Sequence, residues 1–175
     1  MQNIKYIVVA IILFMLFIVL QVNIFSNLPI LGIIPNLFVI FSVYLAIFSN
    51  DKITPSILII LFGFIFDICF GNFIGLYSLL GFSIVAITTN FCNGFSVEHK
   101  IGMMSYVFIA TFLSEIFLGL IHLFLTDMQF ILSEFVTIVL ITSIYNFILT
   151  LLIHPIFSGY IKEKNSSSNL LRRYR

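Results

Sequence analysis

The chain has 175 residues, of which 61% are hydrophobic and 9% charged, with a net charge of +1. Soluble domains carry about 25% charged residues, so there is too little polar surface here to cover a globule in water, and no basic footprint for nucleic acid. Mean hydropathy is +1.21, and apolar stretches recur from Tyr6 to Phe157, which excludes one anchor attached to a soluble domain.

Six spans of roughly 20 residues would use about 120 positions, leaving only short loops and a tail. The first runs from Tyr6 to Phe25 behind Lys5. This is the layout of a signal peptide, but Ser26-Asn27-Leu28-Pro29 is not a small-residue cleavage site, so it reads as a retained helix. The second covers Leu31 to Phe48, interrupted by Gly32 and Pro35, with its unbroken apolar part only after Asn36. It is either short and tilted or broken near the surface. The third runs from Pro55 to Phe70, with Thr54-Pro55 as N-cap and first-turn pair. Gly71-Asn72-Phe73 forms the required turn to the fourth, Ile74 to Phe91. The fifth covers Gly102 to Leu125 and the sixth Phe135 to Phe157, closed by His154-Pro155. Polar joints lie at Ser49-Asn50-Asp51-Lys52, from Asn93 to Lys100 and from Thr126 to Gln129. After Tyr160 the chain turns hydrophilic and is expected to be mobile.

The positive-inside rule orients this scheme. With six crossings and the N-terminus inside, the inner segments hold Lys5, Lys52, Lys100, Lys162, Lys164, Arg172, Arg173 and Arg175, which is every Lys and Arg in the chain. The outer segments carry Asp127 and Glu134 instead. Five spans would force basic groups outward. The expected architecture is therefore an all-α membrane bundle of six transmembrane helices, residues 1–160, with both termini cytoplasmic and a basic tail, 161–175, able to attract anionic lipid.

Ionisable groups inside hydrocarbon are costly and mark sites. Asp67 lies in the third helix, with Gly63 four residues before and Gly71 four after, all on one face. Small residues there let a neighbouring helix approach closely, so Asp67 reads as a polar anchor between helices or as a group reaching the outer headgroups. Glu115 and His122 share a face of the fifth helix, His122 at a depth that permits contact with Asp67. Structural polar packing is the first reading, since a metal site needs at least three ligands and no HExxH arrangement is present. Asn90 and Asn146 read as interhelical hydrogen bonds. Cys69 and Cys92 form no CxxC pair and read as membrane-core thiols. No GxSxG, P-loop or Rossmann glycine motif appears, so neither catalysis nor a cofactor is expected.

Ile30-Leu31-Gly32-Ile33-Ile34-Pro35-Asn36-Leu37 before an apolar span resembles the Pro-Asp/Asn-Leu opening of the second helix in the rod shape-determining MreD family. Gly63-Phe64-Ile65-Phe66-Asp67, then Gly71 and Gly75-Leu76-Tyr77-Ser78-Leu79, resembles that family's Gly-x3-Asp…Gly…Gly-Leu signature. Many relatives carry Asp where this chain has Asn36. The resemblance implies a non-enzymatic scaffold of the bacterial cell-elongation machinery in the inner membrane. Its implied partners are the single-span MreC, the MreB filament, the transglycosylase RodA and a class B penicillin-binding protein. The family is similar in fold to the S components of energy-coupling-factor transporters, which implies the alternative of a vitamin-type binding subunit. Short outer loops and the absence of Trp disfavour that alternative.

Overall fold

The computed structural model describes residues 2–49, 51–71, 73–91, 100–125 and 132–173, with side chains for those between 4 and 155 except Phe91. Among them are six α-helices and no strand: α1 Gln2–Asn23, α2 Leu37–Phe48, α3 Ile53–Phe70, α4 Leu76–Phe91, α5 Lys100–Leu125 and α6 Leu132–Arg173. A single 3-10 turn, Phe25–Asn27, follows α1. Four segments are long and apolar enough to cross a membrane: Ile4–Asn27, Ile53–Phe70, Lys100–Leu125 and Leu132–Pro155. The remaining two helices are short. At 1.5 Å per residue the 12-residue α2 reaches about 18 Å, against a hydrocarbon core of about 30 Å.

Outward faces are as apolar as the interior. Val8, Ile12 and Val19 on α1, Ile57, Leu61 and Ile68 on α3, and Ile144, Ile148 and Leu152 on α6 are all exposed. A bundle folded in water would place polar residues there; these faces suit a lipid solvent.

Helix α2 is the axis of the bundle, and all twelve of its residues are buried. The sequence explains this placement, because a helix apolar on every side has no face to give to water. Ser42 satisfies itself by donating to the Phe38 carbonyl at 2.7 Å. Phe14 of α1 stacks on Phe62 of α3 at 4.4 Å between centroids, and both rings flank Phe41 of α2. Phe38, Phe66 and Tyr77 form a second cluster with centroids 4.7–5.4 Å apart. Since lipid tails are as apolar as these rings, close packing rather than transfer from water holds them together. Helices α5 and α6 pack closely together, burying Met103, Val107 and Thr111 on one helix and Val139, Ser143 and Asn146 on the other.

The structure moves several boundaries. The second helix does not begin at Leu31. Leu31 (φ 52°) and Gly32 (φ 81°) both take left-handed backbone, in a tight turn closed by reciprocal 2.9 Å bonds between Ile30 and Ile33. Two successive positive φ values are the signature of a type I′ turn, which no helix can run through. Helix α3 starts at Ile53 with Lys52, not Thr54, at the N-cap position, and the side chain that serves its first turn is that of Asp51. The Asp51 carboxylate accepts the Thr54 N–H at 2.9 Å and the Thr54 hydroxyl at 2.8 Å. Helix α6 does not close at His154-Pro155 but runs through Pro155 to Arg173, so the tail backbone expected to be mobile continues the helix. Of the expected joints, Asn50, Asn72, Asn93 to His99 and Thr126 to Gln129, including Asp127, fall outside the described residues, as do Cys92 and Arg175.

Candidate functional site

A helix start leaves its first N–H groups without intrahelical partners, and in hydrocarbon no water is available to take them. Two such starts, at α4 and α2, gather most of the residues singled out by the sequence.

At α4 the partner is Asp67, reaching across from α3. Its side chain is 1% exposed. One carboxylate oxygen accepts the Tyr77 N–H at 2.9 Å; the other accepts the Gly75 N–H at 2.9 Å and the Ser78 N–H at 3.3 Å. Asp67 thus does from a neighbouring helix what an N-cap residue does within its own, and the positive end of the α4 dipole favours its charge. The surrounding glycines make this reach possible. A Cβ on Gly63 would sit 2.5 Å from Cα of Ser78, so the α3 and α4 backbones are in direct contact at that level. Gly71 closes over Asp67, its N–H donating to the Asp67 carbonyl at 2.9 Å. Gly75, at φ 101°, turns the chain into α4 through a conformation that L side chains avoid.

At α2 the start is irregular, and three helices send polar groups to it. Gln21 of α1 is buried. Its Nε2 donates to the Pro35 carbonyl at 3.0 Å and its Oε1 accepts the Leu37 N–H at 3.3 Å. The Asn36 side chain donates to Glu115 of α5 at 2.9 Å. Asn146 of α6, fully buried, donates to the Asn36 carbonyl at 2.9 Å and to the Thr111 hydroxyl at 3.0 Å. Tyr145 adds a bond from its hydroxyl to the Leu28 carbonyl at 2.9 Å. Non-helical backbone survives at membrane depth only where protein groups satisfy it, and these side chains do so.

The predicted residues therefore separate into two groups. Gly63, Asp67, Gly71 and Gly75 meet at the α3–α4 contact, while Pro35, Asn36 and Glu115 meet at the start of α2. The His122 ring meets Phe73 edge-on at 5.8 Å, and the Asp67 carboxylate accepts the N–H groups of the α4 start. Asn146 makes the interhelical bonds expected of it, and Asn90 accepts from Lys52 Nζ at 2.6 Å. Gln21 and Thr111 are members that sequence reasoning missed. A lone Gln inside an apolar span was signal enough to flag Gln21; Thr111 carried none, since hydroxyls inside helices usually bond their own backbone. Among the described residues no three His, Cys, Asp or Glu side chains gather as metal ligands.

Over residues 1–164 the chain matches the family described as rod shape-determining protein MreD. It belongs to the MreD family. No curated protein and no solved structure matches it. Membership assigns this MreD-family chain a role in rod shape determination, and with its four long apolar helices marks it as a membrane protein. The two motifs that carried the resemblance, Pro35-Asn36-Leu37 and Gly63-x3-Asp67 with Gly71 and Gly75, are the two stapled helix starts.

Proposed function

We propose that this MreD-family protein is a non-enzymatic scaffold of the bacterial cell-elongation complex, held in the inner membrane by six crossings with both termini cytoplasmic. It binds MreC through its lateral face and outer ends. Through MreB, RodA and a class B penicillin-binding protein it helps organise lateral peptidoglycan synthesis. The family match over nearly the whole chain carries this reading. It is supported by the use made of the buried polar groups: Asp67 spends its hydrogen-bonding capacity on the start of α4, and Asn36 and Gln21 on tying α2 to its neighbours. Groups committed to holding backbone are poorly placed to do chemistry on a substrate. The even number of crossings rests on the inward placement of all eight Lys and Arg, and 1–160 is the membrane domain with 161–175 as its inner tail.

Depletion in the source organism tests the reading. Rod-shaped cells should round up as the protein is lost, and MreC should co-purify with the wild-type chain. Cells that keep their shape but need an added vitamin would replace the scaffold with a transporter subunit.

A further inference from the structure

Helix α5 rests against α6 and α2. Helices α4 and α5 touch only sparsely along their length. Between them lies a cavity of about 230 Å³. Leu80, Ile87 and Leu113 form its apolar walls, and Ser83, Ala110 and Ser114 keep it open by being small. Ser83 and Ser114 turn their hydroxyls back to the Leu79 and Ala110 carbonyls, so they present no free donor to the cavity. The space is apolar and open along one side, which suits part of an acyl chain.

Among the described residues, one end of this groove is polar. Thr88 and Tyr106 close it with a 2.8 Å hydroxyl–hydroxyl bond. Beyond them Asn90, which shares a face of α4 with Ser83 and Ile87, holds the Lys52 ammonium at 2.6 Å. Lys100, exposed, opens α5 on the same side of the bundle. Asp51 beside Lys52 commits its carboxylate to Thr54 and Ser49. The groove thus has an apolar body, with Lys52 held at the end of α4 and Lys100 at the start of α5 on the same side of the bundle.

We propose that the α4–α5 seam binds one anionic phospholipid, an acyl chain lying in the groove and the phosphate between Lys52 and Lys100. The apolar lining alone cannot select an occupant, because moving a tail from bulk lipid into the groove gains no hydrophobic transfer. Selection falls to the headgroup. Basic pockets between transmembrane helices take anionic headgroups, and each lysine contributes roughly fivefold in affinity.

The full-length chain is purified in detergent, delipidated and titrated with phosphatidylglycerol or phosphatidylcholine, with bound lipid counted by native mass spectrometry. One phosphatidylglycerol should be retained at least tenfold more tightly than phosphatidylcholine. Lys52→Ala with Lys100→Ala should bring that preference close to one, and Ala110→Phe, which fills the groove, should remove the adduct while the helical circular-dichroism signal stays unchanged. Equal retention of the two lipids would overturn the proposal. So would an adduct indifferent to Ala110→Phe, or displacement of the lipid by a peptide of MreC's membrane span, which would give the groove to a partner helix.

Discussion

Replacing Asp67 by Leu isolates the contribution of the carboxylate at the start of α4. Two of its amide bonds are short, at 2.9 Å, and the Ser78 N–H bond at 3.3 Å is weaker. Hydrogen bonds to a charged group contribute about 1.5–3 kcal/mol each in soluble proteins, but interhelical bonds measured in a membrane protein average about 0.6 kcal/mol and reach about 1.7. Two good bonds on the membrane scale give about 1–3 kcal/mol. Loss of an N-cap, about 0.5–2 kcal/mol, describes the same bonds from the helix side and is not added. Leu also leaves the Gly75 and Tyr77 N–H groups buried without acceptors, which moves the expectation to the upper half, about 2–3 kcal/mol. At about 2–4 °C per kcal/mol for a chain of this size, the midpoint of thermal unfolding in detergent should fall by roughly 4–12 °C. Asp67→Asn keeps one acceptor oxygen but sets an NH₂ group against the α4 donors, so it should fall between Leu and wild type. The assay is thermal unfolding followed by size-exclusion recovery, with MreC co-purification alongside. A Leu variant that melts within about 1 °C of wild type, by the same scale, would show that the α4 start does not depend on this carboxylate.

Gly63→Ala should cost about 1–3 kcal/mol, because its new methyl meets the Ser78 backbone at 2.5 Å and no flexible side chain can yield; an unchanged melting midpoint would count against the α3–α4 contact. Asn36→Ala and Glu115→Ala should be less than additive, with a coupling of about 0.5–2 kcal/mol in a double-mutant cycle, since each removes the same 2.9 Å bond. Independent effects would deny that bond in the membrane. The proposed orientation predicts that, in a background lacking Cys69 and Cys92, a Ser26→Cys variant reacts with an impermeant maleimide from outside intact cells and a Lys52→Cys variant does not. The reverse pattern would invert the topology.

Helix count and type were legible because membrane helices announce themselves by length and apolarity. The ends were less so. Pro35 marked a break before α2, yet the left-handed pair Leu31–Gly32 was hidden, since a leucine at positive φ follows from closure of the turn and not from its own preference. Thr54-Pro55 has the pattern of a helix start, but a carboxylate three residues earlier, not the hydroxyl, serves the first turn. Pro155 reads as a terminator in water. Here the helix carries on through it, as helices in membranes can where neighbouring groups take up the freed carbonyl. The site shows the same division. Helical spacing put Gly63, Asp67 and Gly71 on one face, but the partner of Asp67 is backbone, and backbone amides leave no trace in sequence. The start of α4 offers that carboxylate three donors and the positive end of a dipole.

The two helices too short to span the hydrocarbon by themselves, α2 and α4, are the two whose starts are stapled by side chains from elsewhere. This follows from the solvent. A short helix in lipid brings its unpaired N–H groups below the headgroups, where only protein can meet them. Each such start therefore recruits a polar residue from a longer neighbour: Asp67 from α3 for α4, Gln21 from α1 for α2. Under the proposed topology both starts lie toward the outer face. The irregular backbone before α2 and before α4 then lies on that side, held by Asp67, Gln21, Asn36 and Asn146. The proposed partner, docking at these two helix starts, would meet backbone already fixed by hydrogen bonds, and binding there would not carry the entropy of ordering it.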